Sequence, residues 1–173
     1  EVGNSGKVDL QIIRKAAEQV GQAKEKSLLS NLKSENALVR YWGAIGLNAY
    51  QKEIGKEAKK ALHKALGDSS PSVRIEAANT LIIRDEVEQA LAQLIQELEH
   101  QNLIVVTHAA RTIELLGHKA IKATEAMKKC LIRAHKIRPP SLSPVIVLPG
   151  DQDMAMFVGF SCQAFLNQLE NNR

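Results

Sequence analysis

Catalysis or ligand chemistry needs a nucleophile with its base, a metal cradle or a phosphate loop. The chain holds two cysteines, Cys130 and Cys162, in no CxxC and no other metal-ligand spacing. That pattern reads as buried thiols, with a disulfide between adjacent helices as the alternative if the protein is exported. The five histidines, His63, His100, His108, His118 and His135, are 37, 8, 10 and 17 residues apart. Such separations give no HExxH and put no two on one face of the same helix, so they read as surface or structural histidines. The run "GNSGK" at residues 3–7 has a phosphate loop's glycines and lysine. It lacks the four-residue spacer, the following Ser or Thr and a preceding strand, so residues 1–7 read as a flexible leader. No Ser or Cys sits in a nucleophile elbow. The expectation is a chain with no catalytic residue, no cofactor site and no metal site.

Charge offers a second kind of chemistry. The formal net charge is +4, and the cations cluster in two runs. Residues 118–138 carry Lys119, Lys122, Lys128, Lys129, Arg133, Lys136 and Arg138 against Glu125 alone. Lys52, Lys56, Lys59, Lys60 and Lys64 form the other, with Lys56, Lys60 and Lys64 at i, i+4 spacing on one helical face. Solvated outer helix faces account for such runs, and an anionic partner is the alternative. Nucleic acid is not the expected partner. A base-binding groove needs exposed aromatic groups, and the single Trp lies in the apolar segment "ALVRYWGAIGL", residues 37–47.

The elements that would position these groups are helical. Aromatics make up only 3% of the chain while 45% is hydrophobic, so the core is built from Ala, Leu, Ile and Val, which suits close helix–helix packing. No apolar run reaches 18 residues, and no membrane span is expected. "EVGNSGKVDL" shows no basic start followed by an apolar stretch, and residue 1 is not Met. The chain therefore reads as a mature or excised piece of something longer.

A frame recurs along it. Leu32, Val39, Ala44 and Leu47 return as Leu66, Val73, Ala78 and Leu81, then as Leu98, Val105, Ala110 and Ile113, offset by 34 and then 32 residues. Ile12, Ala17 and Val20 upstream, and Phe157, Cys162 and Phe165 downstream, fit parts of the same frame. This is an internal repeat. Each period opens with a short amphipathic helix, such as "GKEAKKALHKAL", with Ala58, Ala61, Leu62, Ala65 and Leu66 on one face. After a polar turn, Ser70 caps and Pro71 opens a second helix that is apolar around most of its circumference. A helix of that kind must be covered on several sides, as it is in a stack of helix pairs. Gly43 and Gly46 cost helix propensity, and close approach of a neighbouring helix explains them.

"LKSENALVRYWGAIGL", "LGDSSPSVRIEAANTL" and "LEHQNLIVVTHAARTIELLG" resemble HEAT repeats over residues 8–137. The resemblance implies a hydrogen-bonded ladder of an Asp before the second helix and an Arg just inside it. Asp68, Arg40 and Arg74 match those positions, with Asp68 to Arg40 across the repeat boundary as the expected pair. Ser34, His100 and Val106 depart from the pattern, so the ladder is incomplete. More narrowly, "VRYWGAIGL", "ALGDSSPSVRIEAANTL" and "AARTIELLGHKA" are similar to the HEAT-type tail that follows the catalytic domain of many bacterial sulfatases. The catalytic signature of that family, C/S-x-P-x-R, is absent: Leu-Ile-Arg follows Cys130 and Gln-Ala-Phe follows Cys162. The resemblance therefore implies chemistry upstream of residue 1, and a periplasmic or extracellular location.

The expected architecture is all-α, a right-handed α-α superhelix of four to five HEAT-type helix pairs in a single domain, residues 1–173. A proline-rich loop interrupts it at residues 138–153, and a last helix runs from about Met154 to Glu170. Val145, Ile146 and Leu148 in that loop are expected either to strap the solenoid core or to meet a partner domain. Tyr41 and Trp42 are expected to pack between repeats, or else to dock on an upstream catalytic domain. The expected function is a non-catalytic interaction or structural domain, the C-terminal accessory region of a bacterial sulfatase. The alternatives are a stand-alone protein–protein scaffold and, from a third class, a HEAT-like nucleic-acid-binding protein or lyase.

Overall fold

The computed structural model describes residues 9–139 and 151–171, and every regular element among them is helical. They are α1 (Leu10–Glu18), α2 (Glu25–Leu32), α3 (Ala37–Ala49), α4 (Lys56–Ala65), α5 (Pro71–Ile83), α6 (Val87–Glu97), α7 (Leu103–Leu116), α8 (Thr124–Ile137) and α9 (Asp151–Asn171). A 3₁₀ segment, Gly117–Ala123, leads into α8. The all-α expectation holds for the described residues. The leader, residues 1–7, and the candidate interface residues Val145, Ile146 and Leu148 lie outside them.

The repeat frame sets where helices start. Asn36, Ser70 and Asn102 are the N-caps of α3, α5 and α7. The Asn36 side chain accepts from the N–H groups of Leu38 and Val39, and that of Asn102 from Ile104, satisfying donors that the first turn leaves orphaned. Pro71 takes the first helical position of α5, where its missing N–H costs nothing. Gly117 ends α7 at φ 52°, a backbone region that glycine enters without strain.

Two compact units divide the chain, Glu1–Glu86 and Val87–Arg173. In the first, α2 pairs with α3 and α4 with α5; α3 packs on α1 and α5, and α2 on α4. First helices thus form one layer and second helices another. In the second unit α6 pairs with α7 and α8 with α9, and α7 packs on α9. Val39, Val73 and Val105 are all buried, as are Ala44, Ala78 and Ala110, and Leu47, Leu81 and Ile113. Equivalent letters in the sequence occupy equivalent burial, as nearest-neighbour stacking of repeats requires.

The ends of the frame differ from the expectation. In α9 the buried apolar side chains are Ala155, Val158, Cys162, Phe165 and Leu169, spaced by three and four. Phe157 is one residue off that stripe, rotated about 100° from Val158, and is 45% exposed; Phe160 is 55% exposed. Cys162 and Phe165 close the stack, and Phe157 and Phe160 do not. The helix begins at Asp151 rather than Met154. At the edges of the proline-rich segment, Arg138 caps α8, is buried, and donates from Nη1 to Asp153 Oδ1 at 2.7 Å in the first turn of α9. In α1 the buried residue is Ala16, whereas Ile12 is exposed and Val20 lies beyond the helix.

Candidate functional site

The α3 segment shows two faces. Val39, Gly43, Ala44, Gly46 and Leu47 are buried. A β-carbon on Gly43 would stand 2.4 Å from the backbone nitrogen of Leu32, and one on Gly46 would stand 2.4 Å from a Leu28 methyl. The glycines let α2 lie against α3 at a distance no side chain permits. Around the helix from them run Leu38, Tyr41, Trp42 and Ile45, at i, i+3, i+4 and i+7. Leu38 is 45% exposed and the other three are half-buried. The rings of Tyr41 and Trp42 meet edge to face, centroids 5.4 Å apart at 73°, a geometry that ring quadrupoles favour. Burial, and then the negative charge of Glu76, push the Tyr41 phenol above its ordinary value, so it stays protonated and able to donate.

One repeat later the corresponding positions on α5 are Ser72, Ile75, Glu76 and Asn79. Ile75 is covered, while Asn79 Nδ2 donates to Glu76 Oε2 at 3.5 Å. Three of the four positions, apolar or aromatic on α3, are therefore polar on α5, and Ile75 alone keeps an apolar side chain.

The ladder residues meet. Arg40 donates from Nε to Asp68 Oδ2 at 2.7 Å and from Nη2 to Oδ1 at 2.8 Å, a bidentate pair between consecutive repeats. Its Nη1 also donates to the carbonyls of Ser34 and Glu35 in its own turn. Arg74 does the equivalent, donating to the carbonyls of Asp68 and Ser69. Burial disfavours the Asp68 carboxylate. The hydrogen bonds from Arg40 and the Ser70 N–H, with the charges of Arg40 and Arg74, outweigh it and hold Asp68 below its ordinary pKa.

A groove of about 640 Å³ opens beside this pair, lined by Leu32 of α2, Lys33 just after it, and Glu57, Lys60, Ala61, Lys64 and Ala65 of α4. On the other side of α4, Lys59 and His63 face Glu86 at 3.4 and 3.8 Å. Lys33, Lys60 and Lys64 make no ion pair among the described residues. The sequence showed the i, i+4 spacing of Lys60 and Lys64. It could not show that Lys33 joins them, because that depends on how α2 crosses α4.

Arg84 was not legible as a structural residue either. It donates from Nη2 to the carbonyls of Leu47, Asn48 and Tyr50 and from Nη1 to that of Lys52, gathering the end of α3 into the end of α5. Its Nε is buried without a hydrogen-bond partner. Thr80, also on α5, donates to the carbonyls of Ala44 and Glu76.

Among the described residues no three or more His, Cys, Asp or Glu side chains form a group that could hold a metal ion. No described helix is long and apolar enough to cross a membrane. His100 is a turn residue whose Nδ1 accepts from the N–H of Asn102. The arrangement supplies shape, rings and charge. Residues 25–115, more than half of the chain, match the family profile described as HEAT repeats. No curated protein matches the chain.

Proposed function

Since the chain belongs to the HEAT-repeat family, whose repeats commonly mediate protein interactions, we propose that it is a non-catalytic interaction domain whose partner is the catalytic domain of a bacterial sulfatase on the same polypeptide. The observation that carries the docking role is the α3 stripe of Leu38, Tyr41, Trp42 and Ile45. Rings and aliphatics in one row have the composition of an interface centre, and α5 replaces three of the four with Ser72, Glu76 and Asn79. The sulfatase part is supported by the similarity of "VRYWGAIGL" and the repeats after it to the tail of those enzymes.

The test mixes this chain with the separately produced segment encoded upstream of residue 1. Binding is expected, with Trp42→Asp weakening it at least tenfold, about 1.4 kcal/mol, while circular dichroism and Tm confirm the fold. Equal binding by the variant would remove the docking role of α3. An upstream reading frame without C/S-x-P-x-R would remove the sulfatase and leave the interaction domain.

A second reading rests on the α2–α4 groove. Lys33, Lys60 and Lys64 around an apolar floor of Leu32, Ala61 and Ala65 favour an acidic protein segment with apolar side chains between its charges. Its attachment would weaken steeply as salt rises, because exposed charges attract only within a Debye length of about 10 Å at 0.1 M.

A further inference from the structure

Cys130 and Cys162 stand one on each helix of the α8–α9 pair, 2% and 0% exposed. Each is the strongest influence on the other's thiol. Cys162 Sγ also lies 3.9 Å from Sδ of Met127, which stands one turn before Cys130 on α8. The α9 helix thus brings its sulfur against the face of α8 that carries two more. The sequence left this approach as an alternative to two separate buried thiols, since the residues belong to different helices of one tightly packed pair.

We propose that Cys130 and Cys162 form a disulfide that fastens α9 to α8. The reacting partners differ in character. The neighbouring Cys162 and the adjacent charge of Arg133 together outweigh burial and lower the Cys130 thiol below its ordinary value. Cys130, together with burial, pushes the Cys162 thiol up. The exchange is open to either thiol, with Cys130 attacking and Cys162 resolving in one order and the reverse in the other. The oxidant is a small-molecule disulfide such as oxidised glutathione. In the first order the Cys130 thiolate attacks one of its sulfurs, forming a mixed disulfide and expelling one glutathione thiolate. That thiolate takes the proton of Cys162, whose sulfur then attacks Cys130 and expels the second glutathione. Two protein thiols are oxidised and one small disulfide is reduced to two thiols. Both sulfurs are covered in the folded chain, so the exchange takes place while α9 docks. The proposal is independent of the sulfatase reading.

The test refolds the full chain in a mixture of reduced and oxidised glutathione and counts thiols after denaturation, so that burial does not mimic oxidation. The expected result is no titratable thiol, an intact mass lower by two hydrogen atoms and a monomer on a non-reducing gel. Closing a loop of roughly 30 residues should raise Tm by about 10 °C over the dithiothreitol-treated protein. Cys130→Ser and Cys162→Ser should each abolish that redox dependence, and Cys162→Ser should retain one glutathione on Cys130. Two titratable thiols in the refolded chain, or a bridge between molecules, would overturn the proposal. The thiol count is read on the unaltered sequence, so a variant that fails to fold does not blunt it.

Discussion

Successive second helices meet at two seams, α3 on α5 in residues 9–86 and α7 on α9 in residues 87–171, and the two are built differently. The first is threaded with polar groups: the Arg40–Asp68 pair, the hydroxyl of Thr80 on the carbonyl of Ala44, and Arg84 on the carbonyls ending α3. At the second, apolar burial predominates: Ala109, Ala110 and Ile113 on α7 and Val158, Cys162 and Phe165 on α9, with Thr112, Glu114 and Ser161 buried among them. Hydrogen bonds are directional, so the first seam specifies register as well as contact. Apolar burial is roughly proportional to area and indifferent to direction, so the second depends on volume and shape. One repeat pattern accommodates both because the frame constrains only the small and aliphatic positions that it repeats.

Four substitutions would sharpen or break that contrast. The largest loss is expected from Phe165→Ala, since the ring is wholly buried; chemical denaturation should show a loss of about 3–5 kcal/mol from transfer and cavity terms. A loss below 1 kcal/mol would mean that the α9 seam is not volume-limited. Next comes Gly43→Ala. Its new methyl would meet the Leu32 backbone at 2.4 and 2.8 Å, and a strain of about 1–3 kcal/mol should outweigh the gain in helix propensity.

Asp68→Ala should follow at about 1–3 kcal/mol, because it strands the Arg40 guanidinium, only 15% exposed, beside its carbonyls. The same carboxylate gives a pH signature. Its folded pKa is depressed, so its contribution is complete above the unfolded value of about 3.9. That contribution is lost as pH falls through the lower folded value. Urea titrations at pH 7 and pH 3 should show a smaller acid-induced loss in Asp68→Ala than in the parent chain; equal losses would deny Asp68 that role. The smallest effect, of opposite sign, is expected from Gly159→Ala in α9. The nearest atom to its new methyl is His135 Nε2 at 3.7 Å, ordinary contact, so the propensity gain of about 0.5–1 kcal/mol should appear as a rise in Tm.

The parts of the fold legible in the sequence are those that repeat. Val39, Val73 and Val105 recur because each second helix meets the same surroundings, and Gly43 signals the close approach of α2 before any coordinate does. The register of α9 was not legible. Its frame rested on three letters, and moving from Phe157 to Val158 keeps the later two in place while turning the first residue outward. The candidate site divides the same way. The apolar row on α3 follows from spacing alone. The convergence of Lys33 with Lys60 and Lys64, and of Cys130 with Cys162, depends on how separate helices cross. Arg84 reads in the sequence as an ordinary charged residue after an apolar helix, and only the turn that follows α3 gives it carbonyls to hold.

That guanidinium has a consequence for motion. It holds the final turn of α3 from the residue that caps α5, so neither end frays without breaking the shared hydrogen bonds. Amide protons near Leu47 and near Arg84 should therefore exchange with solvent in a single opening event, rather than each at its own pace.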